Sequence, residues 1–419
     1  MTKRCPPEEI NSIIKRPSKM VQSFINLTSG LSSRLEDILY FKNLPKDSQN
    51  ALIDKLENLH TLTTCIKPKM IQLLESDIPL NFKYIALKKM MIMDDESSPK
   101  IQEWIDSFLN IPFNIYSPLP VLYSTNTPEE CKSYMENCQK TLDKYTYGMK
   151  DAKNQFMQLI GKWIVNPSSM GTAIALRGPM GTGKTTLIKQ GISKILNRPF
   201  AFITLGGTGD GAFLEGHSYT YEGSSYGKIV DILIQSRCSN PVIYFDELDK
   251  ISQTEKGNEL SGILTHLIDT TQNSQFHDKY FSEIDFDLSK CLFIFSYNDE
   301  SLVNPILKDR MYTIDIPGYE KKEKIIIARD YLIPVMNKDF NISDLIWTDD
   351  ILDYIIEKTE PESGVRNFKR KLETIFSKIN LLRISSPEKI NFPFTITKPL
   401  IDEFIETKKT EHTYLNMYL

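Results

Sequence analysis

The sequence lacks the cysteine and histidine patterns that accompany structural metals or disulfides. Its six cysteines are scattered over 419 residues without a C-x-x-C pair, and its five histidines form no cluster. A zinc site or a disulfide framework therefore has little support. Cys131 and Cys138, seven residues apart, are interpreted as an ordinary reduced pair. This cysteine usage predicts a reducing, cytoplasmic compartment.

Long apolar runs and a strong net charge are also absent. No stretch approaches the roughly 18–20 apolar residues of a transmembrane helix, and the polar N-terminus has no apolar signal core. The formal net charge is only −4, which argues against a generic attraction to nucleic acid or to anionic membranes. We therefore predict neither a membrane segment nor a nucleic-acid partner.

The most informative stretch is a glycine-rich segment that follows the apolar run at residues 173–176. It has the P-loop pattern G-x-x-x-x-G-K-T plus one further threonine: Gly178, Pro179, Met180, Gly181, Thr182, Gly183, Lys184, Thr185 and Thr186. Glycines let backbone N–H groups surround phosphate oxygens, and the following helix directs its positive dipole end at the same anion. Lys184 is predicted to reach the β- and γ-phosphates and Thr185 to bind Mg²⁺. The alternative is a turn without a ligand, but the apolar strand before it and the apolar-periodic helix after it favour nucleotide binding.

Polar side chains end two later apolar strands. Asp246 and Glu247 follow the apolar residues 242–245, sixty-two residues after Lys184. A carboxylate at such a strand end can hold the Mg²⁺ shell, here Asp246, and its neighbour Glu247 can act as the general base on a water. Asn298 ends the next long strand, where it can orient that water. Each pattern alone is common at strand ends, and the order along one α/β segment makes the set informative.

Two arginines complete the candidate site. Arg310 lies just before the last strand of this segment, where it can project from the domain edge into the site of a neighbouring subunit and stabilise a transferring phosphoryl group. Arg366 opens a later helix and can contact bound nucleotide from a lid. The alternative for Arg310 is a solvated surface arginine. The basic residues 369–371 are interpreted as a solvated face rather than a nucleic-acid patch.

The pattern of elements predicts the fold class and the domains. Between 145 and 320, short apolar strands alternate with helices, which indicates an α/β, mostly parallel sheet covered on both faces. The predicted strands are 172–177, 200–205, 241–246, 291–296 and 311–316. The predicted domains are an N-terminal helical and tail region (1–68, loose over 1–25), a helical linker (69–144), an α/β nucleotide-binding domain (145–320), a helical lid (321–408) and a tail (409–419).

These motifs, in this order, resemble an AAA+ ATPase, and more narrowly the ATPase portion of Lon-type proteases over about 70–408. The residues that carry the narrower resemblance lie throughout the core and lid: Leu205-Gly206-Gly207, Glu215-Gly216-His217, Gly227-Lys228-Ile229, Asp246-Glu247-Leu248-Asp249-Lys250, Phe286-Asp287-Leu288-Ser289-Lys290, Asp309-Arg310-Met311, Gly318-Tyr319 and Glu362-Ser363-Gly364-Val365-Arg366. Upstream, Leu142-Asp143, Tyr147-Gly148 and the segment from Trp104 to Pro112 match the linker before the Lon ATPase core.

The resemblance implies a five-stranded P-loop AAA+ core, a helical lid and a homo-oligomeric ring, usually a hexamer, with ATP and Mg²⁺ at subunit boundaries. It assigns the P-loop to the phosphates, Asp246 and Glu247 to metal and catalysis, and Asn298 to the first sensor. Arg310 becomes the finger supplied to the neighbouring subunit, and Arg366 the second sensor within its own subunit.

Two departures from the Lon pattern shape the expected function. The sequence ends at Leu419, where that pattern continues into a protease domain with a Ser-Lys dyad, so we expect no peptidase activity from this chain. The substrate-gripping pore loop falls at residues 218–223, where Tyr221 keeps the aromatic side chain and Glu222 replaces the usual apolar residue. A charged residue there grips an apolar polypeptide less well.

The favoured function is an ATP-driven ring that remodels or unfolds proteins, as a chaperone or unfoldase. A second possibility adds a separate protease or partner, bound through residues 1–68 or 407–419. A third is a nucleic-acid motor, against which the acidic balance counts. A fourth is a ring-forming scaffold that binds ATP as a structural ligand, against which the complete catalytic set counts.

Overall fold

The computed structural model describes residues 19–27, 35–64, 68–95, 99–169, 173–207, 209–342, 344–385 and 393–405. The chain divides into two compact units, Met1–Met91 and Ile92–Leu419. No helix in these described ranges is long and apolar enough to cross a membrane.

The first unit is helical. Its helices are α1 (Lys19–Leu27), α2 (Leu35–Asn43), α3 (Lys46–Thr64), α4 (Lys69–Glu75) and α5 (Leu80–Asp95), the last of which ends in the second unit. The prediction of a loose tail is wrong for residues 19–25, which belong to α1, and residues 1–18 lie outside the described ranges. The ring of Phe24 on α1 stacks on Phe41 of α2 with centroids 4.3 Å apart, so tertiary packing outweighs the weak local pattern.

The second unit is built on a five-stranded parallel sheet. Its strands are β1 (Ile174–Arg177), β2 (Phe200–Thr204), β3 (Val242–Asp246), β6 (Leu292–Tyr297) and β7 (Tyr312–Asp315), in the order β2-β3-β6-β1-β7. The five predicted strands and the α/β fold class are thereby confirmed. Because the three central strands are parallel and adjacent, the residues after β1, β3 and β6 meet at one edge of the sheet, where open α/β sheets bind ligands.

The short strands β4 (Phe276–His277) and β5 (Asp285–Phe286) form a separate antiparallel pair. Helices and turns of the second unit flank the main sheet: α6 (Pro99–Leu109), α7 (Pro128–Tyr145), α8 (Lys150–Val165), α9 (Lys184–Thr186, then a π-helical Leu187–Ile192, then Ser193–Ile195), α10 (Ala212–Glu215), α11 (Lys228–Ser236), α12 (Glu255–Ile268) and α13 (Pro305–Asp309).

Apolar side chains from α7, α8 and α9 pack on one face of the main sheet. The cluster includes Phe156 and Trp163 of α8, Ile192 of α9 and Ile294 of β6, all with no more than 1% of their surface exposed. Burying each large side chain stabilises the fold by about 1.5–3 kcal/mol. This packing fixes α9, and with it the end of the glycine-rich loop, against the sheet.

The C-terminal part of the second unit is a helical lid. It contains α14 (Lys321–Ile327), a π-helical turn (Ala328–Leu332), α15 (Ile333–Phe340), α16 (Asp349–Glu357), α17 (Arg366–Ser385) and α18 (Lys398–Ile405), with the short parallel strands β8 (Leu345–Ile346) and β9 (Phe394–Thr395). The apolar faces of α16 and α17 bury Leu352, Ile355, Phe368 and Leu372 in a separate core. The predicted last three residues of the final helix, 406–408, lie outside the described ranges.

Candidate nucleotide-binding site

The glycine-rich loop joins β1 to α9. Gly183, at the start of α9, has φ 92°, a left-handed conformation that costs glycine little and other residues more. The π-helical segment in α9 packs against α7. The loop therefore leads directly into the N-terminus of α9. Backbone N–H groups at such a loop and helix N-terminus form a site that binds anions.

Lys184 is buried inside this loop. It is 8% exposed, and its Nζ donates hydrogen bonds to the carbonyl oxygens of Gly178 and Pro179 (3.3 Å for the latter) and to Oδ1 of Asn298 (2.9 Å). Burial lowers the pKa of Lys184 to about 8, against the opposing charge of Asp246. A bound anion would stabilise the charged form of Lys184 in place of the water that burial excludes.

Asp246 and Thr185 supply hard oxygen atoms next to this lysine. Oδ1 of Asp246 accepts hydrogen bonds from the Ser296 hydroxyl and from the Glu247 backbone N–H (3.1 Å). The Thr185 hydroxyl donates to the Tyr244 hydroxyl at 3.4 Å. Burial and then the charge of Asp246 raise the pKa of Tyr244 to about 12, so this phenol stays neutral. A hydroxyl and a carboxylate of this kind fit a Mg²⁺ ion completed by phosphate and water oxygens.

Glu247 has an unusual backbone. Its φ of 61° and ψ of 45° place a non-glycine residue in the left-handed region, and such strain is concentrated at functional sites. Its carboxylate lies against Gly206, in the loop after β2, where any Cβ would overlap Oε2 of Glu247. Gly206 therefore leaves the space that the Glu247 carboxylate occupies.

The lid contacts the glycine-rich loop directly. The Val365 N–H donates to the Gly181 carbonyl oxygen at 3.1 Å. From the segment just before the lid, the Tyr319 hydroxyl donates to the Thr182 carbonyl oxygen at 2.7 Å. The Arg366 guanidinium lies 3.9 Å from the Met180 sulfur. Val365 and Arg366 thus bring the start of α17 against the glycine-rich loop.

A cavity of about 990 Å³ lies between the loop, the strand ends and the lid. Of the residues predicted for the site, it is lined by Met180, Gly181, Thr182, Gly183, Lys184, Thr185, Thr186, Asp246, Glu247, Asn298 and Arg366. Gly178 and Pro179 do not line the cavity, and their carbonyl oxygens accept hydrogen bonds from Lys184. Lys369 and Arg370, predicted to form a solvated face, are exposed and also line the cavity.

Besides Gly178 and Pro179, three predicted residues do not line this cavity. Arg310 is 38% exposed and pairs with Asp269 at 3.1 Å. Tyr221 is 68% exposed and, with Glu222, lies in an exposed turn. The Tyr221 carbonyl accepts a hydrogen bond from the Nζ of Lys100 at 2.7 Å.

Sequence reasoning gave no role to Ser296, Tyr244 or Lys100. Ser296 lies on β6 opposite Leu176 of β1, and the one signal that marks it is that it is a polar residue within an apolar run. Lys100 is 121 residues from Tyr221, and no local pattern connects them.

A P-loop, an acidic strand end, a polar residue on the adjacent strand and a helical lid define this part of the chain as an AAA+ ATPase. Comparison with known proteins agrees: residues 174–316 match the family described as ATPase family associated with various cellular activities (AAA).

Comparison with curated relatives identifies a narrower family within the AAA+ ATPases. The chain is 38% identical over 368 residues to a Lon protease homolog of Acanthamoeba polyphaga mimivirus, covering 84% of this chain and 36% of that protein. It is 31% identical over 379 residues to the mitochondrial Lon protease homolog of Debaryomyces hansenii (89% and 34%), and 31% identical over 372 residues to the Lon protease of Fusobacterium nucleatum (88% and 45%). The chain belongs to the Lon-type AAA+ ATPases, and its match spans between a third and a half of the length of these relatives.

The depressed pKa of Lys184 leads to a prediction about proton uptake. Burial lowers the pKa of Lys184 to about 8, so the neutral form of Lys184 becomes more populated as the pH rises through this value, whereas a bound triphosphate favours the charged form. ATP binding should therefore take up more protons near pH 8.5 than near pH 7. Calorimetry of the Glu247→Gln variant, with Mg²⁺ and in two buffers of different ionisation enthalpy, measures this uptake. Equal uptake at both pH values would contradict the account of Lys184.

Proposed function

We propose that the chain hydrolyses ATP with Mg²⁺ in a homo-oligomeric ring and uses the energy to remodel or unfold protein substrates. The observation that carries the proposal is the convergence of Lys184, Glu247 and Asn298 on one cavity, while Arg310 lies outside it. This arrangement supports a site that is completed by the arginine of a second copy.

Within the cavity, the proposed roles follow from the chemistry of each group. Lys184 binds the β- and γ-phosphates, and Thr185 and Asp246 hold Mg²⁺. A bound Mg²⁺ would supply positive charge that offsets the negative charge developing on the phosphate. Glu247 accepts the proton of the attacking water, and Asn298 orients that water. Each of these five side chains then has a role in phosphate chemistry.

Arg366 is proposed to sense the nucleotide from the lid, since it lies next to the glycine-rich loop. Nucleotide binding would thereby change the lid position in the same subunit. This makes the lid the element that converts the state of the nucleotide into movement.

The surface around Arg310 supports the ring. Arg310 lies two residues before β7, which is an edge strand of the main sheet. Three large apolar side chains nearby in sequence are exposed: Leu302 (42%), Ile306 (63%) and Tyr312 (46%). An arginine flanked by exposed apolar side chains on a sheet edge is suited to contact with another protein surface, here a second copy in a ring, by resemblance a hexamer.

Tyr221 is proposed to contact the polypeptide substrate. It lies in an exposed turn and its carbonyl is held by Lys100, so the aromatic ring is presented from an anchored backbone. Glu222 beside it favours substrates that are less apolar. A separate protease that receives the remodelled polypeptide, and a cytoplasmic location, stay predictions from the sequence.

The substrate class is tested by the ATPase rate with and without unfolded casein, and with single- or double-stranded DNA. We expect casein to raise the rate about 2- to 10-fold, as when substrate binding assists a conformational step. The Tyr221→Ala variant should lose most of this stimulation and keep the basal rate, because Tyr221 lies outside the cavity. Stimulation by DNA alone would contradict the proposal and favour a nucleic-acid motor.

A further inference from the structure

Arg310 is held by one carboxylate and one carbonyl at the end of a helix. Its Nη2 lies 3.1 Å from Oδ2 of Asp269, and its Nη1 lies 3.5 Å from the carbonyl oxygen of Thr265. Asp269 immediately follows α12, and its side chain is only 14% exposed. The guanidinium therefore rests on a defined partner rather than extending freely into solvent.

Asp269 is itself fixed from several directions. Its other oxygen, Oδ1, accepts hydrogen bonds from the Thr271 backbone N–H at 3.0 Å and from the Thr271 hydroxyl at 2.7 Å. Its backbone N–H donates to the Thr265 carbonyl, and its carbonyl accepts from the N–H groups of Gln272 and Asn273. The hydrogen bonds from Thr271 first, and then the charge of Arg310, lower the pKa of Asp269. The carboxylate is ionised and anchored on the side that does not face the arginine.

The position of Asp269 in the chain adds a second connection. Glu247 is followed directly by the 3-10 turn Leu248–Lys250, and α12 begins soon after that turn. Asp269 caps the far end of α12, and α12 packs against α13, the helix that ends just before Arg310. One helix thus runs between the segment after the catalytic carboxylate and the residue that holds the arginine.

We propose that Asp269 is a positioning residue for Arg310: its anchored carboxylate holds the guanidinium in a limited set of orientations for contact with the neighbouring subunit. The inference rests on the proposed function, because it requires that Arg310 act in a second copy. The physical basis is preorganisation. An arginine side chain has many rotamers, and a partner that restricts them before the subunits meet lowers the entropy lost when the phosphate is contacted.

The test is the Asp269→Asn variant. Its amide oxygen still accepts from Thr271, but the charge that pairs with Arg310 is lost. We expect kcat for ATP hydrolysis to fall about 5- to 20-fold and KM for ATP to change less than about 2-fold. In the Arg310→Ala background the same substitution should change kcat less than about 2-fold, because its effect is transmitted through the arginine.

The matched control is Asp353→Asn. Asp353 is a partly exposed aspartate that pairs with Lys321 at 2.9 Å in the lid, outside the cavity, and its variant should keep the wild-type kcat. If Asp269→Asn fails to fold by circular dichroism, Thr271→Val replaces it. That variant removes only the hydroxyl that fixes Oδ1, and kcat should fall about 2- to 5-fold.

Subunit mixing separates this positioning role from a structural one. Asp269→Asn subunits keep an intact Glu247, and Glu247→Gln subunits keep an intact Asp269–Arg310 pair. A mixture of the two should be more active than either alone, since some interfaces then combine both intact halves. Arg310→Ala mixed with Glu247→Gln serves as the reference.

Recovery in the reference mixture without recovery in the Asp269→Asn mixture would overturn the inference alone and leave the proposed ring intact. An unchanged kcat in Asp269→Asn would also overturn it. If neither mixture recovers ATPase activity, the proposal that Arg310 acts in a neighbouring subunit is contradicted. The inference about Asp269 is then contradicted as well.

Discussion

Replacing Arg310 with alanine is expected to lower kcat for ATP hydrolysis by about 10³-fold, because an arginine supplied in trans stabilises the charge of the transferring phosphoryl group by that order. ATP binding should change little, since Arg310 lies outside the nucleotide cavity and contacts Asp269 and Thr265. Steady-state ATPase assays and titration with a fluorescent ATP analogue measure the two effects separately.

The control for Arg310→Ala is Arg383→Ala. Arg383 is an exposed arginine in the last turn of α17, where it donates to the Asn341 carbonyl, and its loss should leave the ATPase rate unchanged. A rate for Arg310→Ala within about 3-fold of wild type would show that the finger is supplied by another residue.

The second large effect is expected from Glu247→Gln. The amide keeps the size and shape of the side chain in the space beside Gly206, but it cannot accept the proton of the attacking water. We expect the rate to fall about 10²- to 10⁴-fold, the usual contribution of a general base. ATP should remain bound, and the ring should be more stable in its presence, which size-exclusion chromatography with ATP reports.

Glu357→Gln is the matched control for that variant. Glu357 is a largely exposed glutamate in the lid that pairs with Lys321. The Glu357→Gln variant should therefore hydrolyse ATP at the wild-type rate. Normal turnover in Glu247→Gln would contradict the assignment of Glu247 as the general base. The proton of the attacking water would then be accepted by another group at the strand ends.

Much of the fold follows from local sequence. The strands at 242–246 and 292–297 are continuous apolar runs because both faces of a central parallel strand are covered. The glycine pattern before Lys184 is required by the conformation of the loop, and so the nucleotide cavity is visible in the sequence. The helix Lys19–Leu27 is not visible in the sequence, because it is stabilised by the ring of Phe41, which lies on another helix.

The contacts that orient the site are long-range and follow no local rule. Ser296 donates to Asp246 across fifty residues, and Lys100 holds the Tyr221 carbonyl across 121. The pair of Asp269 and Arg310 likewise depends on how α12 packs against α13. Sequence reasoning can propose reactive residues, since chemistry restricts their types, whereas the residues that position them are set by tertiary packing.

The central claim is that each ATP site is completed by a neighbouring subunit, and mixing Arg310→Ala with Glu247→Gln subunits tests it most directly. Each variant alone should be nearly inactive. In a randomly mixed ring at equal amounts, about a quarter of the interfaces combine an intact Glu247 with an intact Arg310 from the neighbour, so the ATPase rate should recover to about a quarter of wild type. A mixture no more active than the two inactive variants would contradict the account.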